Sequence, residues 1–309
     1  MENERGLIVK AISGEYTILN LHNYSKTVCK PLGVFRYKGM TPKVGDYVEY
    51  SDQRILSIET RKNDLIRPFV SNVDKVFLVF SVKEPELNLN LLDRLLAFLE
   101  FNDIEPIIVF TKLDLLNNEI ELNNYKTISN YYRKIGYKVY ESRIDLVPID
   151  IKDEIKSSIS CLAGQSGVGK STLINLFDKD LQLKTSDISK ALGRGKHTTR
   201  HIELIELFGG FIIDTPGFGT VDFVDMTKED LAQSFKEFFE YSKDCKYGMC
   251  LHINEPNCMV KKKLEENEIL KSRYDNYLLF KDEILGQRVV YRKNDGKKEI
   301  KKWFVHLQF

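Results

Sequence analysis

The first sixty residues alternate apolar and polar positions in short runs. "GLIVKAIS", "EYTILNL", "KTVCKPL", "DYVEYS" and "RILSIET" are separated by turn residues such as Ser13-Gly14 and Gly45-Asp46. Period-two alternation buries one side of a strand, and five short strands at this spacing predict a small barrel. The pattern fits an OB-fold and an SH3-like barrel equally well. It also leaves RNA binding and plain packing as even alternatives.

Near residue 70 the period changes. Apolar strands, "KVFLVFSV" (75–82), "PIIVF" (106–110), "YKVY" (137–140), "ISCLA" (159–163), "IELIEL" (202–207) and "FIIDT" (211–215), alternate with helical stretches. That alternation predicts a parallel sheet covered by helices. In "LNLLDRLLAFLEF", Leu91, Leu92, Leu95, Phe98 and Leu99 share one helical face and are expected in the core. Beyond residue 221 the pattern is helical, interrupted by cysteines, and the closing "RVVYRKNDGKKEIKKWFVHLQF" has an Asn-Asp-Gly turn between β-prone arms, as a hairpin would. The expected organisation is a barrel over 1–68, an α/β domain over 69–220 and a mainly helical domain with a tail over 221–309.

Composition changes this picture little. A chain of 309 residues with 42% hydrophobic and 29% charged residues can bury cores for several domains. It lacks a signal-peptide core or an apolar run long enough to span a bilayer, so a cytoplasmic protein without a membrane partner is expected. The net charge of +1 neither demands nor excludes nucleic acid. Both ends are mildly basic, with 13 basic against 8 acidic side chains in 260–309.

Five cysteines, an odd number, argue against a disulfide framework. Three of them crowd with a histidine into "CKYGMCLHINEPNC": Cys245, Cys250, His252 and Cys258. Three thiolates and one imidazole make a closed tetrahedral set, which favours one structural Zn2+ over an open catalytic site. The alternative is a group of ordinary buried thiols and a surface histidine. Cys29, Cys161, His22, His201 and His306 have no ligand-spaced companions and are expected to do no chemistry.

"GQSGVGKS" (164–171) matches the G-x-x-x-x-G-K-[ST] pattern between a strand and a helical stretch. Backbone N–H groups of Gly164, Gln165, Ser166, Gly167, Val168, Gly169 and Lys170 can cradle phosphates at a helix N-terminus, with Ser171 and Thr172 completing the turn. Lys170 would reach the β- and γ-phosphates, and the Ser171 hydroxyl would bind Mg2+. "DTPGF" (214–218) follows a strand, so that Asp214 is a second Mg2+ candidate and Gly217 can offer its N–H to the γ-phosphate.

In "TKLD", Asp114 can accept two hydrogen bonds from guanine, a pairing that adenine does not offer. Lys112 would lie along the base. Thr111 stands where many GTPases have asparagine, which alters one hydrogen bond that tethers the loop. Ser142, after the next strand, marks the loop that would touch the base from its other side. "GRGKHTTR" (193–200) lies where the first switch belongs. Thr198 or Thr199 is a Mg2+ ligand candidate, and His197 either orients the attacking water or serves as a structural or RNA-contacting residue. Phe218 follows D-T-P-G, so the glutamine that positions water in the familiar mechanism is missing.

The base-reading motif precedes the phosphate loop, whereas a conventional GTPase runs the other way. The order predicts a circular permutation of the fold, with the ligand loops still at the carboxyl edge of the sheet. It also sends the chain from the second switch straight into the cysteine block, so nucleotide state is expected to reach that block.

Together these motifs resemble the circularly permuted ribosome small-subunit biogenesis GTPases, the RsgA/YjeQ family. The resemblance rests on "VGDYVEY", TKLD before GQSGVGKS, GRGKHTTR, DTPGF and the cysteine-histidine spacing, over roughly residues 5–280. It implies an N-terminal OB-fold, a central permuted P-loop GTPase and a C-terminal zinc-binding helical domain. It further implies GTP hydrolysis with Mg2+ during late small-subunit assembly, rRNA binding, stimulation by the ribosome, release of other assembly factors and inhibition by guanosine tetra- or pentaphosphate. A monomer suffices. Two other readings stand beside it: a non-catalytic RNA-binding scaffold stabilised by nucleotide, and a permuted GTPase of the large subunit. Arg273, Tyr274 and Tyr277 fall on a helix as candidates for RNA contact, while Tyr274 and Tyr277, three residues apart, fit core packing equally well, and the resemblance does not extend to residues 286–309.

Overall fold

The computed structural model describes residues 3–37, 39–143, 150–170, 172–173, 202–213 and 221–286. Five strands, β1 (Glu4–Ile12), β2 (Glu15–Asn20), β3 (Lys26–Pro31), β4 (Tyr47–Ser51) and β5 (Arg54–Ile58), run in the order β2-β3-β5-β4-β1, and β1 returns to pair with β2. Only β3 and β5 pair in parallel. This closed Greek-key path is that of an OB-fold, and it decides what alternation alone left open. A short helix, α1 (Gly33–Tyr37), joins β3 to β4.

The segment that leaves the barrel is held against it by one buried carboxylate. Asp46 accepts hydrogen bonds from Arg61 Nε at 2.7 Å, Ser71 Oγ at 2.6 Å and the Lys43 N–H at 2.7 Å. A buried carboxylate satisfied by a guanidinium and two further donors holds its partners in fixed geometry. Residues 61–71 therefore sit against the barrel wall.

The second sheet contains β6 (Lys75–Ser81), β7 (Glu105–Thr111), β8 (Lys138–Glu141), β9 (Ile159–Ala163), β10 (Ile202–Leu207) and β11 (Gly210–Ile213), in the order β10-β11-β9-β6-β7-β8. All neighbours pair in parallel except the β10-β11 hairpin. Every strand lies within two residues of its bounds in the sequence reading. β1 pairs antiparallel with β10, Lys10 opposite Glu203 and Ala11 opposite Ile202, so the barrel continues into the second sheet. An ion pair of 2.7 Å between Lys10 and Glu203 reinforces the seam.

Helix α2 (Leu89–Phe101) starts at Asn88, whose side chain accepts from the Leu91 N–H. It buries Leu91, Leu92, Leu95 and Leu99 as its periodicity predicts, while Phe98 is only partly buried. α3 (Glu119–Lys134) and α4 (Ile151–Ile155) complete the α/β domain among the described residues. The C-terminal module has α5 (Lys228–Gln233), α6 (Lys236–Ser242), α7 (Met259–Glu265) and α8 (Lys271–Gly286) around Phe223, Phe235, Phe238, Tyr277 and Phe280. The hairpin expected in the tail lies outside the described residues.

Arg273 corrects one expectation. It is 1% exposed, so it is not a surface contact for RNA. Its guanidinium pairs with Asp93 of α2 at 2.7 Å and Glu237 of α6 at 2.5 Å, and stacks over Phe235. Tyr132 of α3 and Asn276 donate to the same Asp93, and Tyr131 donates to Glu237. The cluster ties the C-terminal module to two helices of the α/β domain. Removing one partner of a buried ion network leaves charge uncompensated, which costs about 3–5 kcal/mol. Arg273→Ala is accordingly expected to lower the urea midpoint by that amount of stability, and Arg273→Met with Asp93→Asn and Glu237→Gln to recover much of it.

Candidate functional site

The carboxyl ends of β9, β6 and β7 lie side by side, and the loops that leave them form the site. β9 turns into the phosphate loop at Gly164, with φ +138°. A Cβ there would lie 2.1 Å from the carbonyl oxygen of Val79 in β6, so the loop leaves the sheet at a point only glycine can occupy. Val168 is buried beneath the loop. The following helix begins at Lys170, and the Leu173 N–H donates to the Gly169 carbonyl at 2.8 Å. Lys170 Nζ donates to the carbonyls of Gly164 and Gln165 at 2.7 and 2.5 Å, which holds its charge across the loop. Burial lowers the pKa of that ammonium.

The base-reading motif is brought to the same place. β7 ends at Thr111, whose hydroxyl donates to the Val168 carbonyl at 2.6 Å. The two motifs stand 57 residues apart in the chain and are joined by this bond. Threonine in the asparagine position therefore still tethers the phosphate loop, through a hydroxyl instead of a carboxamide. Lys112 adopts the left-handed conformation, φ 59°, and its ammonium donates to the Glu84 carbonyl in the loop after β6. That turn starts a single 3-10 turn, Leu113–Leu115, which presents Asp114 at the surface. Ser142 is buried beyond β8, and its N–H donates to the Phe110 carbonyl at 2.8 Å.

Thr111→Val would leave the buried Val168 carbonyl without its donor, a loss of about 1–3 kcal/mol. Nucleotide binding measured by titration calorimetry is expected to weaken about tenfold or more. Thr111→Ser should bind as the parent does.

The structure thus brings together Thr111, Lys112, Asp114, Ser142 and residues Gly164 to Lys170, with Thr172 exposed on the first helical turn. Ser171, His197, Thr198, Thr199, Asp214 and Gly217 lie outside the described residues. The sequence reading missed the two carbonyls that anchor the motif side chains, Val168 for Thr111 and Glu84 for Lys112. Backbone acceptors leave no signature in residue type.

The second candidate site is the cysteine cluster. One ligand atom from each of Cys245, Cys250, His252 and Cys258 lies within 4.8 Å of the others. His252 Nδ1 is 3.4 Å from Cys258 Sγ and 3.9 Å from Cys245 Sγ. Four such donors at this spacing surround a tetrahedral ion with metal–sulfur distances of about 2.3 Å. Burial pushes the His252 pKa down to about 4, which keeps the imidazole neutral and able to bind a cation. Burial also pushes the Cys250 thiol up to about 12, so a thiolate there needs a positive partner. The donor set fits zinc.

The ligand loop is held from both sides. Glu255 accepts from the N–H groups of Leu251, Ile253 and Asn254 at 2.9, 2.8 and 3.1 Å. Tyr274 and Tyr277 of α8 donate their hydroxyls to the His252 and Leu251 carbonyls, at 2.6 and 2.7 Å. Of the two roles left open for these tyrosines, the structure supports packing: Tyr277 is fully buried and Tyr274 is occupied by the loop. Glu255, three positions before Cys258, fell within the quoted cysteine segment, but only its three bonds reveal it as the support of the loop.

Comparison with known proteins places these features together elsewhere. The family model described as RsgA GTPase matches residues 58–224, and the RsgA N-terminal domain model matches residues 5–55. The small ribosomal subunit biogenesis GTPase RsgA of Bacillus cereus (strain ATCC 10987) is 44% identical over 293 residues, which span 93% of this chain and 99% of the relative. The Bacillus subtilis (strain 168) protein of that name is 42% identical over 300 residues, with the same coverage. Among solved structures, YloQ, described as a circularly permuted GTPase, is 37% identical with a TM-score of 0.79, over 94% of this chain and 98% of its own. YjeQ from Thermotoga maritima is 34% identical with a TM-score of 0.80, over 93% and 100%.

Proposed function

The chain belongs to the RsgA family of circularly permuted GTPases, and from that premise we propose how its residues carry out GTP hydrolysis in small ribosomal subunit biogenesis. The observation that carries this reading is the bond from Thr111 Oγ1 to the Val168 carbonyl, because it joins a base reader to a phosphate cradle despite the inverted chain order.

Asp114 accepts from the ring N–H and exocyclic amine of guanine, while Lys112, fixed by the Glu84 carbonyl, lies along the base and Ser142 supports the opposite loop. The N–H groups of Gly164 to Lys170 bind the phosphates, and Lys170 carries positive charge to the β- and γ-oxygens, where negative charge builds during transfer. Mg2+, when bound with the nucleotide, neutralises further charge, and Ser171, Asp214 and Thr198 or Thr199 are its proposed ligands. Gly217 offers an N–H to the γ-phosphate, and His197 orients the attacking water in place of the missing glutamine.

The partners proposed are the small subunit and its rRNA, GTP and GDP, other assembly factors, and guanosine tetra- or pentaphosphate as inhibitor. A cytoplasmic monomer accommodates all of them. No helix among the described residues is long and apolar enough to cross a membrane. Zinc is the proposed ion for Cys245, Cys250, His252 and Cys258.

GTP turnover by the purified protein, alone and with isolated small or large subunits and with ATP as control, tests the reading. Stimulation by small subunits alone is expected. Bound GTP with unchanged turnover would instead leave a nucleotide-stabilised scaffold.

A further inference from the structure

Three parts of the chain meet at a groove of about 320 Å3: the segment leaving the barrel, the outer face of α2, and residues 221–225 just after the second-switch motif. Its apolar lining comes from Ile66, Phe98, Phe101 and Val224, of which Ile66 and Val224 are about half exposed. Asp222 and Asp225 stand exposed on one rim. On the other rim are Arg67 and Asp64, and the Asp64 charge is already matched by Lys43 and Arg61. The groove is therefore apolar at its floor and negative along the 221–225 side. A space of this size takes one or two large side chains.

The chain supplies a matching occupant close by. α8 ends at Gly286, three residues after Glu283. Glu283 pairs with Arg94 of α2 at 2.5 Å, and the same Arg94 reaches the Val221 carbonyl at 3.5 Å. α8 thus ends close to the groove's own lining segment, and Phe98 lies one helical turn along α2 from Arg94. The 23 residues 287–309 carry seven basic side chains and two acidic ones, and near their end Lys301 and Lys302 precede the apolar run Trp303-Phe304-Val305. At up to about 3.3 Å per residue, the chain between Gly286 and Trp303 has ample length to turn back.

We propose that this groove is the seat of the chain's own C-terminal segment, with Trp303 and Phe304 in the apolar floor and Lys301 and Lys302 facing Asp222 and Asp225. The segment then straps the barrel linker, α2 and the stretch that follows the second switch. Aromatic anchors flanked by opposite charge are a common way to seat an extended segment in a groove.

Trp303 is the sole tryptophan of the chain, so the intact protein carries its own probe. Acrylamide quenching of its fluorescence is expected to be several-fold weaker in the folded protein than in urea. Asp222→Lys with Asp225→Asn is expected to restore most of the quenching; asparagine is used because Asp225 sits at φ 64°. Val224→Asp should act in the same direction, and adding Lys301→Glu and Lys302→Glu to the Asp222→Lys chain should restore shielding. Far-UV circular dichroism verifies that each variant is folded. In parallel, Lys301→Glu with Lys302→Glu in the otherwise unchanged chain should speed amide exchange at 98–102 and 221–225. Four outcomes overturn the proposal: quenching in the intact protein equal to that in urea, shielding indifferent to both groove variants, shielding that appears only with added rRNA, and shielding that grows with protein concentration. The last two would make the segment an RNA arm or a contact between two copies.

Discussion

His252→Ala is expected to remove one ligand of the proposed zinc site and unfold the ligand loop over residues 245–258, while the module's aromatic core, the barrel and the second sheet remain folded. Structural zinc sites of this kind contribute up to about 10–16 kcal/mol of apparent binding free energy, which is folding free energy where no site exists in the unfolded chain. Here the module also has its own aromatic core around Phe235, Phe238 and Tyr277, so part of the structure resists the loss. The ligand loop does not. Its four donors converge, and the hydrogen bonds to Glu255 and from the two tyrosines hold its backbone. Metal content by plasma emission and amide exchange by mass spectrometry check the two halves of the expectation. Full retention of exchange protection across 245–258 in a metal-free variant would refute it.

Acid should act on the same loop. The His252 pKa is held at about 4 by burial, against an ordinary value of 6.5. Between those values the unfolded chain binds the extra proton, so stability is complete above about 6.5 and falls as the pH drops toward about 4. Protons and the proposed zinc would compete for the same imidazole, so loss of the ion would move in the same direction.

The second large effect belongs to Asp114. Asp114→Asn exchanges an acceptor for a donor at the position proposed to face the guanine amine, and is expected to lower GTP affinity about a thousandfold or more, while xanthosine nucleotides, which carry a carbonyl there, should bind better than GTP. Sites built to pair with a specific hydrogen-bonding group reject analogues by factors of about 10⁴–10⁵. Competition binding with GTP, xanthosine triphosphate and ATP reads this directly, and an Asp114→Asn protein that still prefers GTP would remove Asp114 from the base site.

Much of this was legible in the sequence because it rests on local pattern. The strands declared themselves by period, the phosphate loop and TKLD by spacing, and the cysteine cluster by ligand chemistry. What was not legible is three-dimensional pairing. Arg273 reads in the sequence as a basic residue available to RNA, yet it pairs with Asp93 and Glu237, 180 and 36 residues away in sequence, in the interior. The one available signal went unread: Asp93 is a carboxylate between Leu92 and Leu95 on a helix that buries that neighbourhood. A charge in such a position calls for a partner, but the sequence does not say which. The OB-fold path was hidden for the same reason, since alternation gives faces and not neighbours.

The seam between β1 and β10 bears on how this sheet avoids self-association. An uncovered edge strand offers its free backbone groups to any other chain, and "IELIEL" on β10 has the length and composition to recruit one. The barrel occupies that edge with β1, and the opposite edge is β8, four residues long with Lys138 and Glu141 at its ends. A central domain cut free of its barrel would therefore expose a sticky ribbon on one side only, and is expected to form edge-to-edge dimers or precipitate more readily than the whole chain.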